Sequence, residues 1–171
     1  MTDLVSPDYV RTMASYNAEM NRRVYETAAR LSDGARRQDR GAFWDSIHGT
    51  LNHILWGDRM WMSRFDGWEK PPVVQKDSAG MIGDYEELWR ARQDADKGIR
   101  DWAGKVDTAW LGRDLVWLSG TTGREMRMPA GFLVMHFFNH QTHHRGQAHA
   151  MITAAGEDTS DTDLFLVLPG G

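Results

Sequence analysis

The chain contains no cysteine. That absence excludes a disulfide framework, a thiolate-bound metal and a cysteine nucleophile, so any thiol chemistry must draw its sulfur from another molecule. Proline is scarce, at five positions, and together with glycine it stays below the level of a low-complexity chain. A basic surplus is missing as well: 20 Lys and Arg face 24 Asp and Glu, for a net charge of −4. Nucleic-acid binders carry a positive footprint, so no nucleic-acid partner is expected. The one basic cluster, Arg36, Arg37 and Arg40, is interleaved with Asp33 and Asp39 and reads as a solvated turn. No apolar run approaches the ~18 residues of a membrane span. The opening Met1-Thr2-Asp3-Leu4-Val5-Ser6-Pro7 lacks the basic-then-apolar order of a secretory signal. A cytoplasmic protein without a membrane partner is the expectation.

What is present is bulk for a core. The 171 residues include 8 Trp, 6 Phe, 4 Tyr and 10 Met, and the length is that of one domain, spanning 1–171. Four segments carry helical periodicity. Ser6 and Pro7 suit a cap and a first turn, and Val10, Met13, Asn17, Met20, Val24, Ala28 and Leu31 then recur at threes and fours, with Gly34 as the expected C-cap. The second helix is expected over Gly41–Phe65, its inward face built from Phe43, Ile47, Thr50, Ile54, Trp61 and Phe65, with Asp58 alongside and His53 at its edge. Residues 67–80, with Pro71-Pro72, read as a loop. A third helix covers Met81–Val106, where only Arg92 interrupts the apolar stripe. Leu115–Leu118 and Glu125–Met128 flank a Gly-rich turn and read as a β-hairpin. The fourth helix runs Pro129–Ala155 with Phe132, Leu133, His136, Phe137, His140, His144, Gln147, Ala148, Met151 and Ile152 as its inner stripe. The expected architecture is all-α, a four-helix bundle with a small β-hairpin before the last helix.

The histidines carry the chemistry. There are seven, and five of them, His136, His140, His143, His144 and His149, fall within fourteen residues of the fourth helix. Histidine is a modest helix former, so propensity does not explain the cluster. Imidazoles at i and i+4 share a face and can ligate one ion, with a third ligand arriving from another helix. His53 is placed for that; His48, five residues earlier, lies on another side. Spacing leaves open whether the pair is His136/His140 or His140/His144, and whether His143 replaces His144. The bland alternative is a polar seam that binds nothing. His140-Gln141-Thr142-His143-His144 has the spacing of a zinc-protease helix, but Gln141 stands where that chemistry requires a general-base Glu, which argues against a peptidase.

Two segments, Ser46-Ile47-His48-Gly49-Thr50-Leu51-Asn52-His53-Ile54-Leu55-Trp56-Gly57-Asp58-Arg59-Met60-Trp61 and His136-Phe137-Phe138-Asn139-His140-Gln141-Thr142-His143-His144-Arg145-Gly146-Gln147, resemble the second- and fourth-helix signatures of the DinB family. The resemblance covers nearly the whole chain. It implies an up-down-down-up bundle, a homodimer, and a divalent metal, nickel or zinc, on His53, His140 and His144. It also implies a small-molecule substrate and, by analogy with some relatives, a low-molecular-weight thiol as co-substrate.

Three imidazoles leave a coordination position open, the mark of a catalytic more than a structural site. The expected function is a metal-dependent thiol S-transferase, isomerase or hydrolase, the alternative being a non-catalytic, stress-linked metal-binding protein. Asp58 is the candidate acid–base group or partner of a ligating histidine; pairing with Arg59 or Arg145 is the plainer reading. Arg145 is a candidate for holding a substrate carboxylate, or else a solvated residue at the helix rim. Of Trp44, Trp56 and Trp61, which point to different sides, one is expected to face outward; the plainer account has Trp61 filling the core with Trp44 and Trp56 partly exposed.

Overall fold

Ser6 sets the start of the first long helix: its Oγ accepts from the Tyr9 amide at 3.1 Å, and Pro7 occupies the first turn. In the computed structural model, which describes residues 4–120 and 122–168, this helix is α1, Pro7–Ala28. Met1-Thr2-Asp3 of the opening segment, Thr121 of the hairpin turn, and residues 169–171 lie outside the described residues. Helix α1 stops before Leu31 because Ser32 caps a new short helix, α2 (Asp33–Arg37), by accepting from the Ala35 amide. Gly34 therefore sits inside α2 and is not the cap expected of it.

The second long helix, α3, is Ile47–Phe65 and starts six residues later than the periodicity predicts. Gly41 (φ 72°) and Asp45 (φ 61°) place the chain in the left-handed region on either side of an Ala42–Asp45 bridge. Ser46 then caps the helix through the Gly49 amide at 3.0 Å. Phe43 is thereby left 76% exposed, outside the inward face assigned to it. The stretch read as a loop contains a 3₁₀ turn, Gln75–Gly80, with Ser78 fully buried. Asp84 caps α4 (Tyr85–Ala103), so Met81 lies before it and Val106 beyond it. A short α5 (Thr108–Gly112) leads into β1 (Asp114–Leu118), which pairs antiparallel with β2 (Glu125–Pro129), Asp114 opposite Pro129 and Leu118 opposite Glu125. Helix α6 (Ala130–Ala154) follows directly, and a single turn, α7 (Leu164–Val167), ends the described chain. Among the described residues no helix is long and apolar enough to cross a membrane.

The core divides in two. One cluster joins Val10 and Ala14 of α1, Met62 and Phe65 of α3, Ile99 and Trp102 of α4, and Leu133, Phe137 and Phe138 of α6. The other joins Val24 and Ala28, Ile47 and Leu51, Tyr85 and Leu88, and Ala148 and Ile152. The start of α1 thus meets the ends of α3 and α4 and the start of α6, which is the up-down-down-up bundle. Parallel neighbours need a crossover, and residues 66–84 supply it between α3 and α4.

Between the clusters lies a buried polar layer drawn from all four long helices. Arg92 meets Asp58 at 2.5 Å and Asp96 at 2.9 Å, with the first pair wholly excluded from solvent. Asn21 donates to Asp96 at 2.9 Å, Gln141 donates to Asp58 at 2.8 Å, Asn17 donates to Gln141, and Arg145 donates to Asn17 at 2.6 Å. The formal charges, two aspartates against two arginines, cancel. Burial raises the Asp58 carboxyl against the pull of Arg92 and the Gln141 bond. Burial works to lower Arg92, and Asp96 and Asp58 more than offset it.

Removing one member leaves an uncompensated buried charge. Asp58→Leu is expected to destabilise the chain by about 3–5 kcal/mol in urea denaturation. A loss under about 1 kcal/mol would show that the layer does not hold the helices together.

Candidate metal centre

His53 sits two turns into α3, buried to 1% exposure, with its ring stacked on Trp44 (4.0 Å between centroids, 22°) and on Trp56 (5.7 Å, 18°). His140 and His144 lie one turn apart on α6, half-buried and buried respectively. One nitrogen from each of the three rings falls within 4.8 Å of the other two. The Nε2 atoms of His53 and His140 face each other at 3.2 Å. Two imidazole nitrogens about 2.0–2.1 Å from a common tetrahedral centre would be about 3.4 Å apart, so the observed gap fits an ion between them.

The outer nitrogens of two of the rings are held by side-chain oxygens. His144 Nδ1 donates to Gln147 Oε1 at 2.8 Å, leaving its Nε2 as a lone pair. His53 Nδ1 is bonded to Ser78 Oγ at 2.9 Å, which orients the ring with Nε2 inward. Ligating histidines are held this way, with the second N–H on an oxygen. His140 is placed by shape instead: a Cβ at Gly57 would come within 2.7 Å of its Cε1, so only glycine at that position of α3 admits the ring.

Electrostatics keep the rings neutral. His53 is pushed down to about 3 by burial, with His140 and His144 contributing. His140 is pushed down to about 3 by burial and by His144, His136 and His143. Burial lowers His144 too, partly opposed by Gln147. A polar seam would pair such rings with carboxylates or carbonyls; here the inward nitrogens meet one another. Three neutral nitrogen donors with no thiolate or carboxylate among them suit a borderline divalent ion.

The remaining candidates separate cleanly. His48 Nε2 bonds the Ile82 carbonyl at 2.9 Å, away from the group. His136 is exposed, its ring 5.1 Å from that of Trp61, and Phe132 beside it is 48% exposed, so neither belongs to the inner stripe expected of α6. His143 is exposed against His144. Asp58 is 0% exposed, both of its oxygens are taken by Arg92 and Gln141, and it bonds none of the histidines directly. Its partner is Arg92, not Arg59 or Arg145. Arg145 is buried in the polar layer, where it donates to Asn17, and is not a solvated rim residue. Trp44, Trp56 and Trp61 are all half-buried, with Trp61 packed against the core, as in the plainer account. Ser78 had no signal in the sequence.

The fold and this cluster define a class: an up-down-down-up four-helix bundle with a three-histidine group suited to a divalent metal. The chain belongs to the DinB family, whose family model matches residues 1–168. It is 22% identical over 170 residues to Protein DinB of Bacillus subtilis (strain 168), covering 94% of each chain. Its fold is similar, with a TM-score of 0.66 and 12% identity over 89% of this chain and 90% of the other, to that of YfiT from Bacillus subtilis, described as a probable metal-dependent hydrolase with an unusual four-helix bundle topology.

Ser78→Ala is expected to weaken zinc binding about 10–100-fold while the fold is retained, read by competition with a chromogenic chelator; unchanged affinity would remove Ser78 from the site. In the metal-free protein the depressed histidines set the pH dependence. Above about 6.5 folded and unfolded imidazoles are both neutral; below it the unfolded chain takes up protons that the folded one refuses. Stability should therefore fall from pH 6.5 to 5, before most carboxylates titrate, and urea midpoints that stay flat over that window would contradict the burial of these rings.

Proposed function

We propose that the chain is a metal-dependent enzyme that activates a small nucleophile, water or an external thiol, for attack on a small-molecule electrophile. The observation that carries this reading is the convergence of three neutral imidazole nitrogens with no fourth protein ligand in the group among the described residues. A divalent ion, nickel or zinc, would supply Lewis acidity at the open position. His53, His140 and His144 would hold it, while Ser78 orients the first of these rings and Gln147 keeps the last in the ligating tautomer. Trp44 and Trp56 shield the His53 side from water. Buried as it is, Asp58 acts on the site through Gln141, the residue after His140, and serves as a positioning residue.

Hydrolysis is the first reaction to test, because the structurally similar YfiT is described as a probable metal-dependent hydrolase. Thiol transfer is the second, and the absence of cysteine requires that the thiol come from solution. Protein purified without nickel resin should contain one divalent ion per chain by elemental analysis. His140→Ala should lose both the ion and turnover of activated esters or of thiol-plus-electrophile pairs. Full turnover by His140→Ala would refute the proposal. One ion per chain with no turnover across both substrate panels would favour metal binding without catalysis.

A further inference from the structure

A cavity of about 720 Å³ opens between the outer side of α3, the 66–84 crossover and the hairpin. It falls in the size range of small-molecule sites. Trp56, Met60 and Trp117 give it apolar walls, and its charged lining is of one sign: Arg64, Lys70 and Lys76, with no aspartate or glutamate among the described residues. In a chain of net charge −4, three cations facing one concave space make a local positive potential.

Arg64 is the most committed of the three. Its guanidinium lies 4.3 Å from the Trp61 ring centroid and 5.4 Å from that of Trp117, which hold it in place. It is half-buried and forms no ion pair among the described residues. Burial lowers its affinity for the proton, and no carboxylate offsets that. A positioned, partly desolvated cation without a counter-charge is a receptor for an oxyanion. The cavity is also next to the histidines: Trp56 lines it and stacks on His53.

We propose that this groove holds the non-reacting part of the substrate, an aromatic or acyl body bearing a carboxylate or sulfonate. The oxyanion sits at Arg64 with Lys70 and Lys76 at the rim, and the apolar body lies against Trp56 and Trp117. This rests on the enzymatic reading above and names its substrate class, but the groove can be tested without metal or turnover. The probe pair is 2-naphthaleneacetate and the uncharged 2-naphthaleneacetamide, titrated by calorimetry into EDTA-treated full-length protein at low salt. The acid should bind about tenfold or more tighter than the amide, as a charge-assisted bond implies, and the difference should shrink in about 1 M salt. Arg64→Gln should bring the acid down to the affinity of the amide. The double variant Lys70→Gln/Lys76→Gln, at exposed positions that leave the fold intact, should weaken the acid and spare the amide. Equal affinities for acid and amide in the unaltered protein would overturn the proposal, as would unchanged acid affinity in both variants. A failure here leaves metal content untouched, and a failure of metal binding leaves this titration readable.

Discussion

Three imidazole nitrogens facing one another across α3 and α6, kept neutral by burial, are the arrangement on which the rest of the molecule bears. Nitrogens that close must share a proton or a cation. Burial and the neighbouring rings oppose a charged imidazolium, and the three nitrogens are close enough together to hold one divalent ion. Everything that fixes the relative rotation and height of the two helices therefore fixes the site.

The buried polar layer supplies that register. Gln141 lies between His140 and His144 on α6 and donates to Asp58, five residues after His53 on α3. Arg145 and Asn17 tie the same stretch of α6 to α1, and Arg92 ties Asp58 to α4. An apolar layer would allow α6 to rotate with little penalty, whereas a hydrogen-bonded ionic one admits few arrangements, since each alternative strands a buried charge. Gly57 completes the fit by giving the His140 ring the volume a side chain would fill. On the far side, Ser78 reaches His53 from a 3₁₀ turn of the long crossover that the parallel α3–α4 pair requires.

Much of this was legible in the residues, and the failures have identifiable causes. The four long helices, the hairpin and the bundle follow from apolar periodicity. The early start given to α3 arises because Gly41–Ser46 carries helix-compatible apolar spacing, while the two left-handed residues that break it leave no periodic trace. The i, i+4 pattern could not choose between His136/His140 and His140/His144, because only the rotation of α6 distinguishes them. Gln141 and Arg145 turn that helix so that His136 and Phe132 face out. Arg92 announced itself as the one charge in an apolar stripe, yet its pairing with Asp58 depends on which helices become neighbours. Ser78, 25 residues from His53, is brought there by the path of the crossover alone.

X-ray absorption at the zinc edge, on protein loaded with one equivalent of the ion, probes the convergence of the three rings most directly. The account predicts three imidazoles per ion at about 2.0–2.1 Å, seen through the multiple scattering of their outer ring atoms, with the remaining ligand an oxygen. A first shell of oxygen alone, without imidazole scattering, would contradict it.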